Sequence, residues 1–190
     1  MNFIDQLEEL FMRRGAEAYL GEPVTISQHM LQCAALAQRD DASEPLVAAA
    51  LLHDIGHLAG PGGEYRADDT VDRHHDEGGA LVLDGHFPPL VVEAVRLHVA
   101  AKRYLCAVDA SYYDRLSTAS QHSLALQGGP FDPARIAEFE AQPFHREAVR
   151  VRLWDDGGKV AGLRTPTFAE LRPLLERVSL TAFAEGHSPR

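Results

Sequence analysis

Cysteine is nearly absent: Cys33 and Cys106 are the only two in 190 residues. Two thiols so far apart exclude a disulfide framework or a zinc ribbon, and both read as small buried hydrophobes. Positive charge is scarce as well, with 18 Lys and Arg against 28 Asp and Glu and a formal net charge of -10. No basic stripe with interleaved aromatics offsets that balance, so no nucleic-acid partner is expected. Long apolar runs are also missing. The longest, residues 46–52, falls far short of the roughly 20 that span a bilayer. The N-terminal segment carries acids where a secretory signal would be basic and then apolar. A cytoplasmic location without membrane contact is therefore expected. What the chain has in excess is histidine, ten in all, several of them next to or near Asp at short distances.

A chain of 190 residues suits one domain over 1–190, ending in a short tail at 187–190. Ile4, Leu7, Leu10 and Phe11 recur at helical spacing and predict a helix to about residue 14. Gly21 and Pro23 then break the pattern, leaving a loop at 16–27, and Met30, Cys33, Ala34 and Leu36 resume it on a helix that carries His29. A third helix from Ser43 runs through Leu52 into His53-Asp54 and is expected to end at residues 55–57. The Gly, Pro and charge content of 58–73 reads as a mobile loop. Two short helices follow, over 75–83 and 90–102, then four more near 110–113, 119–126, 132–139 and 145–154. A last helix begins at the capping box Thr167-Phe168-Ala169-Glu170. No repeat and no pair of alternating strands is evident, so the expected fold class is all-α.

His53-Asp54 closes a helix of small apolar residues, so both side chains emerge beside a packed core. An adjacent His and Asp can bind one metal through a ring nitrogen and a carboxylate oxygen, leaving the second oxygen to bridge to another ion. Alone, such a pair is more often a buried hydrogen bond capping a helix. Here it stands in an ordered set: His29, His53-Asp54, His75, His98 and Asp155. This order resembles the HD-domain superfamily over nearly the whole chain. The resemblance implies a helical bundle around two metals, one held by His29, His53, Asp54 and Asp155 and the other by Asp54, His75 and His98. His74 and Asp156 are neighbours that spacing alone does not exclude.

Imidazole and carboxylate suit iron, manganese, zinc or cobalt equally. Tyr19-Leu20-Gly21-Glu22 lies ten to seven residues before His29. With that loop the chain resembles a narrower group, the HD-domain mixed-valent diiron oxygenases of organophosphonate catabolism (PhnZ/TmpB-like), in which a Tyr-x-Gly-Glu loop guards the iron. His57, Lys102 and Arg152 each fall one helical turn from a ligand and can converge on an anion, Arg as a bidentate fork and Lys as a point charge. The segment 116–130 also resembles that group, with Ser120 in the place of a phosphonate-binding serine and Ser117 and Ser123 as lesser choices.

The resemblance implies an Fe(II)/Fe(III) pair with O2 as co-substrate. Tyr19 and Glu22 would gate the site, and His57, Lys102, Ser120 and Arg152 would hold an organophosphonate. The products implied are phosphate and either glycine betaine, from 1-hydroxy-2-(trimethylammonio)ethylphosphonate, or glycine, from its primary-amine counterpart. A trimethylammonium wants aromatic faces, for which Tyr65, Phe87, Tyr112, Tyr113 and Phe131 are available. The main rival is an HD phosphohydrolase of a nucleotide or small phosphate ester, which uses the same ligands but has no need of a displaceable phenol. An inositol-oxygenase-like enzyme and a metal-dependent signalling module are further rivals, the first lacking a use for Lys102 and Arg152 and the second expecting an appended domain.

Overall fold

A computed structural model describes residues 2–19, 21–59 and 70–180. Its eleven described helices are α1 (Phe3–Arg14), α2 (Ile26–Arg39), α3 (Glu44–Leu52), α4 (Ile55–Ala59), α5 (His75–Leu83), α6 (Pro89–Val108), α7 (Tyr112–Arg115), α8 (Thr118–Leu126), α9 (Pro133–Glu140), α10 (His145–Gly157) and α11 (Phe168–Val178). The described residues contain no strand, only an isolated bridge between Ala18 and Thr25, and the all-α expectation is met. None of these helices is long and apolar enough to cross a membrane.

Helix α3 is the hub. Residues 46–52 are all buried, and α2, α6, α10 and α11 pack around it, so the helix is apolar on every side. Helix α6 lies against α3, α5 and α10. Its inward stripe is Val91, Val95, His98 and Lys102, all buried, at the spacing of a core-facing helix. The last two positions of that stripe carry chemistry where packing alone would place Leu or Ile. Helix α10 does the same with Ala148, Val151, Arg152 and Asp155.

Several boundaries differ from expectation, among them that of α7, which starts at Tyr112 instead of Ala110. Residues 55–59 form the short helix α4 instead of a loop, and α4 packs on α5. There Gly56 approaches α5 so closely that a Cβ would lie 2.0 Å from the His75 carbonyl oxygen. Helix α6 has 20 residues and is not a short element, since it continues past Lys102 to Val108. Helix α10 runs three residues past Trp154. Of the loop expected at 58–73, residues 60–69 lie outside the described residues, as does the tail at 187–190.

Candidate metal centre

Five helices or their ends bring the histidines and aspartates together. His29 comes from α2, His53-Asp54 from the turn after α3, His75 from the start of α5, His98 from α6 and Asp155 from α10. His29 Nε2 and His53 Nε2 lie 3.1 Å apart, and His75 Nε2 and His98 Nε2 also lie 3.1 Å apart. Asp54 stands between the pairs. Its Oδ2 is 3.5 Å from His29 Nε2 and 3.4 Å from His53 Nε2, while its Oδ1 is 3.4 Å from His75 Nε2 and 3.6 Å from His98 Nε2. Asp155 Oδ1 approaches the first pair, 3.4 Å from His29 Nε2.

The tautomers follow from the backbone. His29 Nδ1 faces the Gly158 carbonyl at 2.9 Å, His53 Nδ1 the Ala50 carbonyl at 2.9 Å and His98 Nδ1 the Val95 carbonyl at 2.7 Å. A carbonyl only accepts, so each of these Nδ1 atoms donates and each ring aims its Nε2 inward. Burial holds His29 and His98 down at about 4 and His75 well below its ordinary value, so these rings are neutral. Two inward Nε2 atoms 3.1 Å apart need a proton or a metal cation between them. Asp155 Oδ1 is buried without a hydrogen-bond partner, which a ligated carboxylate oxygen would explain. Burial would raise Asp54, but His53 and His57 outweigh it and hold the carboxyl well below the usual range. Burial lowers His53, yet Asp54 more than reverses that. The donor set therefore fits two adjacent divalent ions sharing Asp54.

Spacing left two pairs of neighbours ambiguous, and their side chains diverge here. His74 is the left-handed N-cap of α5, φ 51°, and faces Asp72 at the surface, while His75 faces His98. Asp156 turns from the cluster to accept from the Tyr112 hydroxyl and from Arg152. Cys33 was not expected near the site. Its Sγ lies 3.8 Å from His29 Nε2, but the thiol faces the Trp154 carbonyl and burial raises it well above the ordinary thiol range, so it stays protonated.

The Tyr-x-Gly-Glu spacing has a physical basis. The Glu22 amide donates to the Tyr19 carbonyl at 2.7 Å, and Gly21 supplies φ +78° at the third position of that turn, where a side chain would be strained. Tyr19 and Glu22 thus project together over the cluster. The Tyr19 ring stacks on His29, centroids 4.1 Å apart, and its hydroxyl donates to Asp54 Oδ2 at 2.8 Å. Burial and then Asp54 raise the phenol, which keeps its proton.

Beside the cluster lies a small pocket walled by Tyr19, Glu22, His57, Lys102, Ser120, Ser123, Arg152 and a residue the sequence reading missed, Lys159. Lys102 donates to Ser123 at 2.7 Å, and burial, then Arg152, pull it down to about 7. Ser120 accepts from Lys159 at 3.0 Å and from Arg152 at 3.4 Å, whereas Ser117 caps α8 through the Ser120 amide. Arg152 directs Nε at Tyr112 and Nη1 at Asp155, with Nη2 shared between Asp156 and Ser120. The free fork expected of it is therefore largely engaged within the protein. His57 stacks on His75 at 4.1 Å. None of the aromatics available for a trimethylammonium lines this pocket among the described residues. Tyr112 lies behind Arg152, Phe87 packs on Phe3, and Phe131 sits under Arg103. Tyr113 is 44% exposed, and Tyr65 lies outside the described residues. Tyr19 is the one aromatic wall among the described residues.

Helices that converge four histidines and two aspartates on one buried cluster able to hold metal, with Tyr19 stacked against it, define a class of helical metalloprotein. The chain belongs to the HD-domain family, whose model matches residues 26–156. It is 48% identical over 177 residues, 93% of this chain and 90% of the relative, to a [1-hydroxy-2-(trimethylamino)ethyl]phosphonate dioxygenase (glycine-betaine-forming) of Leisingera caerulea. It is 45% identical over 174 residues, 91% of this chain and 86% of the relative, to a hydroxymethylphosphonate dioxygenase of Gimesia maris.

Proposed function

We propose that the protein is a dioxygen-dependent diiron enzyme of the cytoplasm that cleaves the carbon–phosphorus bond of a small 1-hydroxyphosphonate. The observation that carries this reading is the Tyr19 hydroxyl on Asp54 Oδ2 at 2.8 Å, in a chain so similar to two phosphonate dioxygenases. A hydrolase that presents water to a phosphate ester gains nothing from a buried phenol at that oxygen.

In this reading His29, His53, Asp54 and Asp155 would hold one ion, and Asp54, His75 and His98 the other. When bound, the iron pair would supply the redox chemistry by which O2 accepts four electrons from the substrate. Lys102, Ser120, His57 and Arg152 hold the phosphonate oxygens. Ser120 accepts from Lys159 and Arg152, so its own proton is free to point at the phosphonate. Arg152 acts mainly through its charge, since most of its donors are engaged within the protein. Tyr19 closes the first site, and Glu22 sits beside it to balance a cationic tail. The overall change balances without an outside reductant: R–CH(OH)–PO3(2−) and O2 give R–COO(−), HPO4(2−) and one proton. The C–H and C–P bonds break, and both atoms of O2 are incorporated. The substrate tail is read as trimethylammonium, supported by the relative named for glycine betaine formation and by the Tyr19 face next to the Glu22 carboxylate.

The test is anaerobic loading with iron, partial oxidation, and observation of a coupled Fe(II)/Fe(III) paramagnetic signal that shifts when the trimethylammonio substrate is added. Phosphate and glycine betaine should then appear only with O2. Phosphate-ester hydrolysis without oxygen, and no such signal, would overturn the reading.

A further inference from the structure

Lys159 is the third cation of the pocket, and its position is unlike that of Lys102 or Arg152. Its side chain is 11% exposed. The ammonium donates to Ser120 Oγ at 3.0 Å, lies 3.6 Å from Asp155 Oδ1 and 3.8 Å from Glu22 Oε1, and stands 5.9 Å from the centre of the Tyr19 ring. Glu22 Oε1 is buried and has no hydrogen bond. Lys159 therefore reaches both ends of the pocket. At one end is the Ser120 hydroxyl that faces the phosphonate, and at the other are the carboxylate and aromatic face that would receive a cationic tail. A cation within about 6 Å of an aromatic centre and close to a carboxylate is the environment that binds quaternary ammonium groups.

We propose that Lys159 is a specificity-determining residue that stands in for the cationic tail of the substrate. This rests on the phosphonate oxygenase reading above. With no tail present, as for a hydroxymethylphosphonate, the Lys159 ammonium balances Glu22 and occupies the Tyr19 face. A trimethylammonium tail takes that position, and Lys159 shifts wholly to Ser120 and the phosphonate oxygens. A buried Glu22 without any cation would be costly, so the tethered ammonium lets one pocket accept both substrate types and limits its preference for the charged tail.

The test uses metal-loaded protein kept anaerobic, with tetramethylammonium as a tail-only probe in titration calorimetry. Lys159→Met should bind the probe at least about tenfold more tightly than the parent, and Lys159→Arg should match the parent. Equal affinity in Lys159→Met and the parent overturns the proposal. The parent protein gives a second measurement that needs no variant: methylphosphonate, by drawing Lys159 toward Ser120, should tighten probe binding about fivefold or more. Independent or mutually weakened binding counts against the proposal. In turnover, Lys159→Met should raise the ratio of kcat/KM for the trimethylammonio substrate over hydroxymethylphosphonate. If the parent releases no phosphate from either compound, the functional reading fails, and the binding experiments still decide the role of Lys159.

Discussion

Gly158 offers a sharp test of how backbone sets the metal site. It follows α10 with φ −86°, so glycine is not needed there for conformation. Space is what requires it: a Cβ would lie 2.5 Å from Cys33 Sγ and 3.2 Å from both His29 Nδ1 and the His29 carbonyl oxygen. The Gly158 carbonyl is also the acceptor that fixes the His29 tautomer. Gly158→Ala must push the segment off α2 or turn the His29 ring. Overpacking of this kind costs about 1–3 kcal/mol, a fall in Tm of about 2–12 °C for a chain of this length. Loss of the partner that orients a ligating His typically weakens metal binding about 10- to 100-fold. Chelator competition on the purified variant measures the affinity, and melting with and without metal measures the stability. Cys33→Ala/Gly158→Ala removes the closest clash and should regain much of the lost affinity, while Cys33→Ala alone should keep its metal. Parent-like affinity in Gly158→Ala would refute the steric argument. Metal loss in Cys33→Ala alone would make the thiol a ligand.

Sequence reveals most where one rule acts alone. Helix α3 is legible because residues 46–52 are apolar on every face, and α11 because Thr167 and Glu170 form the capping box their spacing suggests. Helix α6 was read short because its inward stripe turns polar at His98 and Lys102, which mimics the end of a core-facing pattern although the helix continues to Val108. His74 and His75 are alike in sequence. What separates them is the left-handed conformation of His74 at the α5 N-cap, which follows from the chain's path into the helix. Lys159 had a visible signal, four residues after Asp155, the same interval that drew notice to Lys102 after His98. The expected helix stops at Trp154, which leaves Lys159 outside it, whereas α10 continues to Gly157. The placement of the aromatics was not legible at all, since Tyr112, Phe87 and Phe131 are held by contacts with residues distant in sequence.

The remaining expectations follow from single contacts. Tyr19→Phe removes a hydrogen bond to a buried carboxylate, an interaction worth about 1.5–3 kcal/mol. It should keep its metal while changing the reactivity of the loaded protein toward O2, followed spectroscopically, and loss of metal would make Tyr19 structural instead. Asp155→Ala should lose bound metal, whereas Asp156→Ala should keep it and lower kcat/KM about tenfold by letting the Arg152 guanidinium leave the position that Asp156 and Tyr112 fix; metal analysis of the two proteins separates them. The pH profile isolates Lys102, which burial and then Arg152 pull down to about 7. A lysine with a depressed pKa is cationic below that value and neutral above it, and only the cation can hold a phosphonate oxygen by charge. The kcat/KM of the free enzyme should therefore fall as pH rises through about 7. Lys102→Arg, whose guanidinium stays charged at any working pH, should show no such alkaline limb even if its overall rate is lower. The substrate's own ionisation is common to both proteins, so an identical limb in the Arg variant would assign it to the substrate and remove Lys102 from phosphonate binding.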